Sequence, residues 1–417
     1  MPFTINGKTV NKISGPVAMH LLTPTDEYLK IYPYAPLYIL FGDRHKDLTG
    51  FCTDQSIENG SYNIYDPDFL KLFSDAVNKK EDDEENGTID FYVEGGVYGD
   101  LHITERELKK QNYPLKEIIN LFVDCYNNTR MPNRNRERGT TDEIKSTCNK
   151  IPNIRWQSGD IRFSLKSKGN MSMLLYKLKT NTQNDLKSSL IENLQSKILK
   201  RGHTVDLSTF PFTIGEYITK YLNDNLITKQ LNKINNDSIR GKIISKFKIY
   251  IEKVHSNVFK DLNDDKLKEL IDLHNIFRNA STQLYSREFN LSIFDIWKRK
   301  DMLPTYSNIM MKMDSLLLDL YSLARSYKTM SKYMNEEKEA NNKYPIINIC
   351  YFGNTHTTNI NDFLTTIAGQ EGYNGGYVGP TITNLDKVVD IRCLNINTNT
   401  NLDDQIIRIK RIRKNIK

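Results

Sequence analysis

Two short segments near opposite ends of the chain end in the same way. Residues 37–45 read Leu-Tyr-Ile-Leu-Phe-Gly-Asp-Arg-His, and residues 346–356 read Ile-Ile-Asn-Ile-Cys-Tyr-Phe-Gly-Asn-Thr-His. Each is an apolar, β-favouring run, then Phe-Gly, two polar residues and a histidine, the pattern of a buried strand that ends in a sharp turn. Open α/β sheets keep their clefts at the carboxyl edge of the strands. The repeat therefore predicts that His45 and His356 face one cleft.

This coincidence exceeds what composition explains. With 21 glycines and 7 histidines in 417 residues, random placement gives roughly 0.35 Gly-x-x-His matches. Three occur, and the third, which ends at His102, follows no apolar run. The alternative is that His45 and His356 are ordinary loop histidines after two buried strands.

The order of the patterns predicts an α/β fold whose mixed or parallel sheet core is split in sequence by a large helical insertion. Strand patterns cover residues 37–41, 89–93, 153–163, 346–352 and 387–394, and a helix begins at Asp66-Pro67-Asp68. Helical spacing dominates residues 170–343. We therefore expect residues 1–165 and 344–400 to form the two parts of one core, residues 170–343 to be helical, and residues 401–417 to be a basic tail.

Composition sets limits on partners and compartment. The net charge is +7, and the mean hydropathy is −0.56 with 38% hydrophobic residues. A mildly basic chain permits contact with nucleic acid but does not require it. We expect no signal peptide, because the N-terminus lacks a long apolar run, and no membrane span, because no stretch of about 18 apolar residues occurs.

The five cysteines, at positions 52, 125, 148, 350 and 393, show no Cys-x-x-Cys spacing. An odd count with wide spacing favours reduced thiols in a cytosol-like compartment. The sequence thus predicts a cytoplasmic protein, or a virion component if the chain is viral.

Three predicted strand ends carry polar groups of matching chemistry: His45, Glu94 and His356. Such a set can hold a divalent metal, here Mn, Co or Zn, or can activate water without one. Asp43 would add a metal ligand, and Arg162 would stabilise an anion. The structural alternatives are a strand-end acid for Glu94 and a surface ion pair for Arg162.

These motifs resemble the superfamily that includes TraB, the TIKI proteases, ChaN and the erythromycin esterases. The similarity rests on the early Gly-x-x-His, the strand that ends in Glu94 and the late Gly-x-x-His followed by a helix. It implies an α/β core with a helical insertion, and His45, Glu94 and His356 as site residues of a hydrolase acting on a peptide or ester. At the position where the family often has Glu, this chain has Asp43.

Two other functions remain open. Asp43-Arg44-His45 and Gly353-Asn354-Thr355-His356 are similar to motifs of calcineurin-like phosphoesterases, although the further ligands of a two-metal site are missing. A non-catalytic scaffold or virion protein is the other alternative, because the composition resembles proteins of large AT-rich DNA viruses. Its contacts would be a protein partner through the helical region, or nucleic acid through Arg130–Arg138 and the basic tail. The tail itself reads as solvated or as an amphipathic helix that docks on a partner.

Overall fold

The computed structural model describes residues 3–44, 50–52, 57–79, 87–94, 153–158, 213–234, 236–282, 298–330, 344–369, 375–384 and 391–415, with isolated positions within 114–121, at 151 and at 295–296. The chain divides into two compact units. The first comprises residues 1–160, 229–242 and 321–417, and the second comprises residues 161–228 and 243–320. Residues 229–242 and 321–330 therefore belong with the sheet, although they lie inside the stretch that the sequence marks as a helical insertion.

The strands of the described residues are, in chain order, β1 (Thr4–Ile5), β2 (Lys8–Thr9), β3 (Lys12–Ser14), β4 (Ala18–Pro24), β5 (Leu37–Asp43), β6 (Gly50–Phe51), β7 (Ser61–Asn63), β8 (Thr88–Val93), β9 (Ile154–Ser158), β10 (Pro345–Gly353), β11 (Tyr377–Val378), β12 (Thr381–Thr383) and β13 (Ile391–Asn395). The α-helices are α1 (Asp26–Ile31), α2 (Pro67–Asn78), α3 (Ile214–Leu222), α4 (Asn225–Leu231), α5 (Asp237–Phe259), α6 (Asp264–Thr282), α7 (Leu303–Met330), α8 (Asn354–Asp362) and α9 (Leu402–Lys414).

A mixed sheet forms the centre of the first unit. Its described strands lie in the order β11-β4-β5-β10-β8-β9, and β12 also pairs with β4. The four strands β5, β10, β8 and β9 are parallel, whereas β4 runs antiparallel to β5. The α/β class predicted from the sequence is confirmed, as are the strands predicted at 37–41, 89–93 and 346–352 and their membership of one sheet.

The sequence allows a mixed sheet but does not locate its antiparallel strands. β4 pairs with β5 on one side and with the short strands β11 and β12 on the other. β4 is buried on both faces but includes His20 and ends in Thr23-Pro24, so its sequence lacks the uniform apolar run that marks β5 and β10. The two- and three-residue strands are too short to leave a periodic signal.

One face of the sheet is apolar and packs against α2. Asp66 caps this helix by accepting the Asp68 backbone N–H at 2.9 Å, and Pro67 occupies its first turn. The helix buries Phe69, Leu70, Phe73, Ala76 and Val77 against alternate residues of the strands. This is the helix predicted to begin at Asp66-Pro67-Asp68.

Two smaller sheets of the first unit are also described, one of β1 and β2 and one in the order β6-β13-β3-β7. β13 is antiparallel to β3 and parallel to β6. It thereby joins the predicted strand near residue 390 to residues 50–51, which follow β5 in the chain.

The C-terminal segment is a packed helix, so the prediction of a solvated basic tail is wrong. α9 buries Leu402, Ile406 and Ile409 in the core of the first unit. The buried Arg413 guanidinium donates from Nη2 to the carbonyl oxygens of Tyr34 at 2.8 Å and Pro345 at 2.7 Å. The spacing of isoleucines between charges is thus the pattern of an amphipathic helix that packs against the same chain, and Arg408, Lys410 and Arg413 donate hydrogen bonds in that packing.

The second unit is helical wherever it is described. Thr213 and Glu216 form a capping box at the start of α3. Buried hydroxyls fasten its helices: Tyr221 donates to the Met313 carbonyl oxygen at 2.8 Å, and Tyr250 donates to Asp319 Oδ2 at 3.1 Å. The helical patterns predicted at 214–231, 239–254, 267–277 and from residue 306 are confirmed where they are described.

A search of the described helices finds none with the length and apolar character needed to cross a membrane.

We expect His20 to make the protein less stable in mild acid. Its Nδ1 lies 2.9 Å from Thr381 Oγ1, and burial lowers its pKa to about 4, from about 6.5 in the unfolded chain. Between those pKa values the unfolded chain binds a proton that the native protein does not, so stability is full above pH 6.5 and falls as the pH drops towards 4, by about 3 kcal/mol.

Urea unfolding at pH 7.0 and pH 4.5 measures this effect, and the free energy of unfolding should drop less for His20→Gln than for wild type. His255→Gln, a change at a partly exposed histidine, should keep the wild-type drop. Equal drops for wild type and His20→Gln would refute this assignment.

We also expect Arg413 to be irreplaceable by lysine. The planar guanidinium donates to several carbonyl oxygens at once, which the compact ammonium group of lysine cannot do. Arg413→Lys should therefore lower the free energy of unfolding by about 2–4 kcal/mol. The matched change Lys414→Arg lies at an exposed position of the same helix and should stay within about 0.5 kcal/mol of wild type. Guanidinium unfolding followed by circular dichroism measures both, and similar midpoints for the two variants would contradict the role of Arg413.

Candidate functional site

Three parallel strands end together at one edge of the large sheet. β10 lies between β5 and β8, and its register places Gly353 beside Asp43 and Tyr351 beside Val93. The Glu94 backbone N–H donates to the Tyr351 carbonyl oxygen at 3.0 Å, which extends the pairing one residue beyond β8. Asp43, Glu94 and the start of α8 are therefore held at the same edge, where α/β proteins place their ligands.

Glu94 and His356 form a buried carboxylate–imidazole pair. Glu94 Oε2 accepts the Gly353 backbone N–H at 2.6 Å, and Glu94 Oε1 lies 3.6 Å from His356 Nε2. Their side chains are about nine-tenths buried, with relative exposures of 10% and 7%. A carboxylate is favoured at a helix N-terminus because the backbone N–H groups and the helix dipole both attract negative charge. β8 and the first turn of α8 are thus joined by Glu94.

The absence of a side chain at Gly42 lets α8 begin this close to β5. A Cβ atom at Gly42 would lie 2.5 Å from Asn354 Oδ1 and 2.8 Å from Thr357 Oγ1. Separations of that size are far below van der Waals contact, so a larger residue would force the Asn354 and Thr357 side chains aside and crowd the Asn354 Cα atom, which lies 3.2 Å from the same point. The Gly of the early Phe-Gly motif therefore permits the close approach of the helix that carries the late motif's histidine.

A second buried charge pair lies beside the first. Arg392 Nη2, in β13, is 3.9 Å from Asp43 Oδ1 and donates to the Arg44 carbonyl oxygen at 3.1 Å. The Tyr351 phenol lies near both: burial and the Asp43 carboxylate raise its pKa well above 10, so it remains a neutral hydroxyl at physiological pH. Two residues that the sequence did not single out, Arg392 and Tyr351, thus belong to this edge. The available signal was a lone arginine inside the strand pattern at 387–394.

A disulfide joins the residue after β6 to β13. Cys52 and Cys393, 341 residues apart in sequence, are bonded with a Cα–Cα distance of 4.9 Å. Cys393 follows Arg392, and Gly50–Phe51 pairs with Ile391 and Arg392. The prediction that all the thiols are reduced is wrong for these two cysteines, because spacing along the chain carries no information about a contact made through β13. Cys350 is a free, buried thiol, and burial raises its pKa.

The structure brings together part of the predicted site. Glu94, His356 and Asp43 lie at the edge expected of them, whereas His45 and Arg162 lie outside the described residues. Within the described ranges, no group of three or more His, Cys, Asp or Glu side chains is arranged to hold a metal ion. The complete metal set of His45, Glu94, His356 and Asp43 accordingly stays a prediction.

Comparison with known proteins returns no relative. No protein-family model matches the chain, and neither a curated protein nor a solved structure is significantly similar to it. The resemblance to the TraB and TIKI superfamily therefore rests on its motifs alone.

We expect the Cys52–Cys393 bond to contribute about 2–5 kcal/mol to the free energy of unfolding, because it removes chain freedom from the unfolded state. Guanidinium unfolding of wild type with and without dithiothreitol should show this loss. The double variant Cys52→Ser/Cys393→Ser should match the reduced protein and be insensitive to dithiothreitol. Thiol titration of the folded, oxidised protein that finds both cysteines free would overturn the assignment.

Proposed function

We propose that the chain is a hydrolase-like protein whose site at the carboxyl edge of the sheet activates water for attack on a peptide or ester. The observation that carries this proposal is the buried Glu94–His356 pair, with Oε1 and Nε2 3.6 Å apart at the ends of adjacent strands. Carboxylate and imidazole are an effective acid–base pair because their surroundings can bring either pKa towards neutrality.

The two side chains would have different roles. Both Glu94 oxygens face protein groups, so Glu94 would orient the imidazole and stabilise its protonated form rather than take the proton itself. With the Nε2 proton directed at Glu94, His356 Nδ1 is left as the acceptor for a proton from water. A separation of 3.6 Å is long for a hydrogen bond, and such bonds commonly tighten only when substrate binds.

Arginine would serve the site in two ways. Arg392 holds the end of β5 through Asp43 and the Arg44 carbonyl oxygen, so it would act on the site by positioning that strand end. Stabilisation of the developing anion stays assigned to Arg162, as predicted from the sequence.

The residues present are compatible with a metal at the same place. Two ligands on a tetrahedral zinc lie about 3.4 Å apart, close to the 3.6 Å between Glu94 Oε1 and His356 Nε2. These two side chains would hold the ion, with His45 and Asp43 as the further predicted ligands. Such an ion would supply Lewis-acid activation of water. The calcineurin-like alternative needs a second group of metal ligands, and the described residues contain no such group.

A non-catalytic scaffold or virion protein is the second candidate. Glu94 and His356 also tie β8 to α8, a purely structural task, and both are largely shielded from solvent. The Cys52–Cys393 disulfide fits a virion better than a reducing host cytoplasm, the two locations expected from the sequence. Partner contacts would then involve the helical region, because Arg408, Lys410 and Arg413 of α9 already contact their own chain. Arg130–Arg138 lie outside the described residues.

Turnover measurements on ester, peptide and phosphate substrates separate these candidates. If the proposal holds, wild type hydrolyses an ester or peptide, and Glu94→Gln and His356→Gln each lose about 10²–10⁴-fold in kcat. Glu58→Gln and His255→Gln, matched changes at residues that are not part of the proposed site, should keep wild-type rates. Metal analysis and addition of a chelator distinguish the metal-dependent from the metal-free form.

Circular dichroism must first show that the Glu94 and His356 variants are folded. If wild type turns over none of the three substrate classes and carries no metal, the hydrolase proposal fails and the scaffold remains. Turnover of phosphate esters alone would favour the phosphoesterase alternative instead.

A further inference from the structure

The central parallel strands carry an unusual polar layer on the face opposite α2. Such strands are normally apolar on both faces, because both are covered. Here Asp90 and Tyr92 lie on one face of β8, and Asn348 of β10 is the registered neighbour of Asp90. All three are buried. The C-terminal part of α7 covers them within the same unit.

Part of this polar layer is satisfied by the protein itself. Asp90 Oδ1 accepts from Arg155 Nε at 2.5 Å. Asn348 Nδ2 donates to Ser326 Oγ of α7 at 2.9 Å, and Ser326 also pairs with the Tyr38 hydroxyl. These bonds attach the helix to the sheet.

Four other polar atoms of the layer have no hydrogen-bond partner among the described residues: Asp90 Oδ2, Asn348 Oδ1, Tyr92 OH and Ser322 Oγ. Ser322 lies one helical turn before Ser326 and so shares its face of α7. Burial, opposed by the nearby Arg325 guanidinium, raises the pKa of Tyr92, so its hydroxyl keeps its proton. The relative exposures of the four residues range from 0% to 5%.

Four unpaired groups would nearly abolish folding. Each lowers the folding equilibrium constant by about 0.7 to 2.2 orders of magnitude, so four remove about three to nine orders, against about four to eleven for a whole domain. In the folded protein, groups outside the described residues must therefore pair with them.

We propose that the layer between β8, β10 and α7 is an interior binding site for ordered water. Two of its unpaired atoms, Asp90 Oδ2 and Asn348 Oδ1, can only accept, so the occupant must donate at least two hydrogen bonds. Arg155 balances the charge of Asp90, which makes a neutral donor the better match. Water needs two to four polar partners, and this layer supplies them.

This site is separate from the proposed catalytic pair. Tyr92 and Asp90 lie two and four residues before Glu94 on the same strand, about 7 and 13 Å along it. The site therefore stands whether or not Glu94 and His356 are catalytic.

Stability measurements on conservative variants test the proposal by the sign of the effect. If water pairs with these hydroxyls, Tyr92→Phe and Ser322→Ala each break hydrogen bonds and lower the folding equilibrium constant by about 2–12-fold. If the layer is dry, each change removes an unpaired polar atom, and the constant rises.

Two reference variants calibrate the scale. Tyr38→Phe breaks the known bond to Ser326 and should lower the constant. Ser245→Ala, at an exposed position inside α5, measures the gain in helix propensity that Ser322→Ala includes. The proposal would be overturned if Tyr92→Phe raises the folding equilibrium constant and Ser322→Ala raises it at least as much as Ser245→Ala does.

A high-resolution crystal structure gives the direct answer. The expected result is at least one ordered water within hydrogen-bond distance of Asp90 Oδ2 or Asn348 Oδ1. An organic molecule in its place, confirmed by mass spectrometry of a denaturing extract, would replace the hydration site with a ligand pocket. A layer that contains no ordered water and no other molecule would also refute the proposed hydration site.

Discussion

The pairing of β10 with β5 on one side and β8 on the other is the constraint on which the first unit depends. These strands come from opposite ends of the chain, yet their register brings Gly353 beside Asp43 and Tyr351 beside Val93. A shift of one residue would turn every apolar side chain to the other face of the sheet, so the buried alternation fixes the register. The position of His356 relative to Glu94 follows from this register, from the close approach at Gly42 and from the bond between Glu94 and Gly353.

Buried charge in this unit is arranged to connect elements. Glu94 connects β8 with α8, Arg392 connects β13 with the end of β5, and Arg413 connects α9 with the chain before β5 and β10. A buried charge is expensive unless it is paired or richly hydrogen-bonded. Each of these contacts therefore permits one arrangement of the elements and penalises the others, which is how polar groups can specify a fold whose apolar contacts tolerate small shifts.

The sequence predicted what depends on local pattern. β5, β8, β10 and α2 were identified because apolar runs, strand-end glycines and the Asp66-Pro67 start are signals within a few residues. Asp43, Glu94 and His356 were placed at one edge because parallel strands end together. Contacts between distant segments were missed, because no pattern within a few residues identifies the partner in the Cys52–Cys393 bond, in the Arg392–Asp43 pair or in the docking of α9. The polar face of β8 was visible as alternation in Ile89–Glu94, but alternation normally indicates a solvated face, and here α7 covers it.

The central position of β10 also determines when the sheet can be completed. β5 and β8 are finished before residue 94, but the strand between them begins at Pro345. At ribosomal rates, the roughly 250 intervening residues take on the order of 10–50 s to synthesise. During that interval the edges of β5 and β8 that face β10 have no partner strand, a state that invites pairing with other chains. The N-terminal half of a newly made chain is therefore open to such pairing, and the translation speed across the intervening residues sets how long that interval lasts.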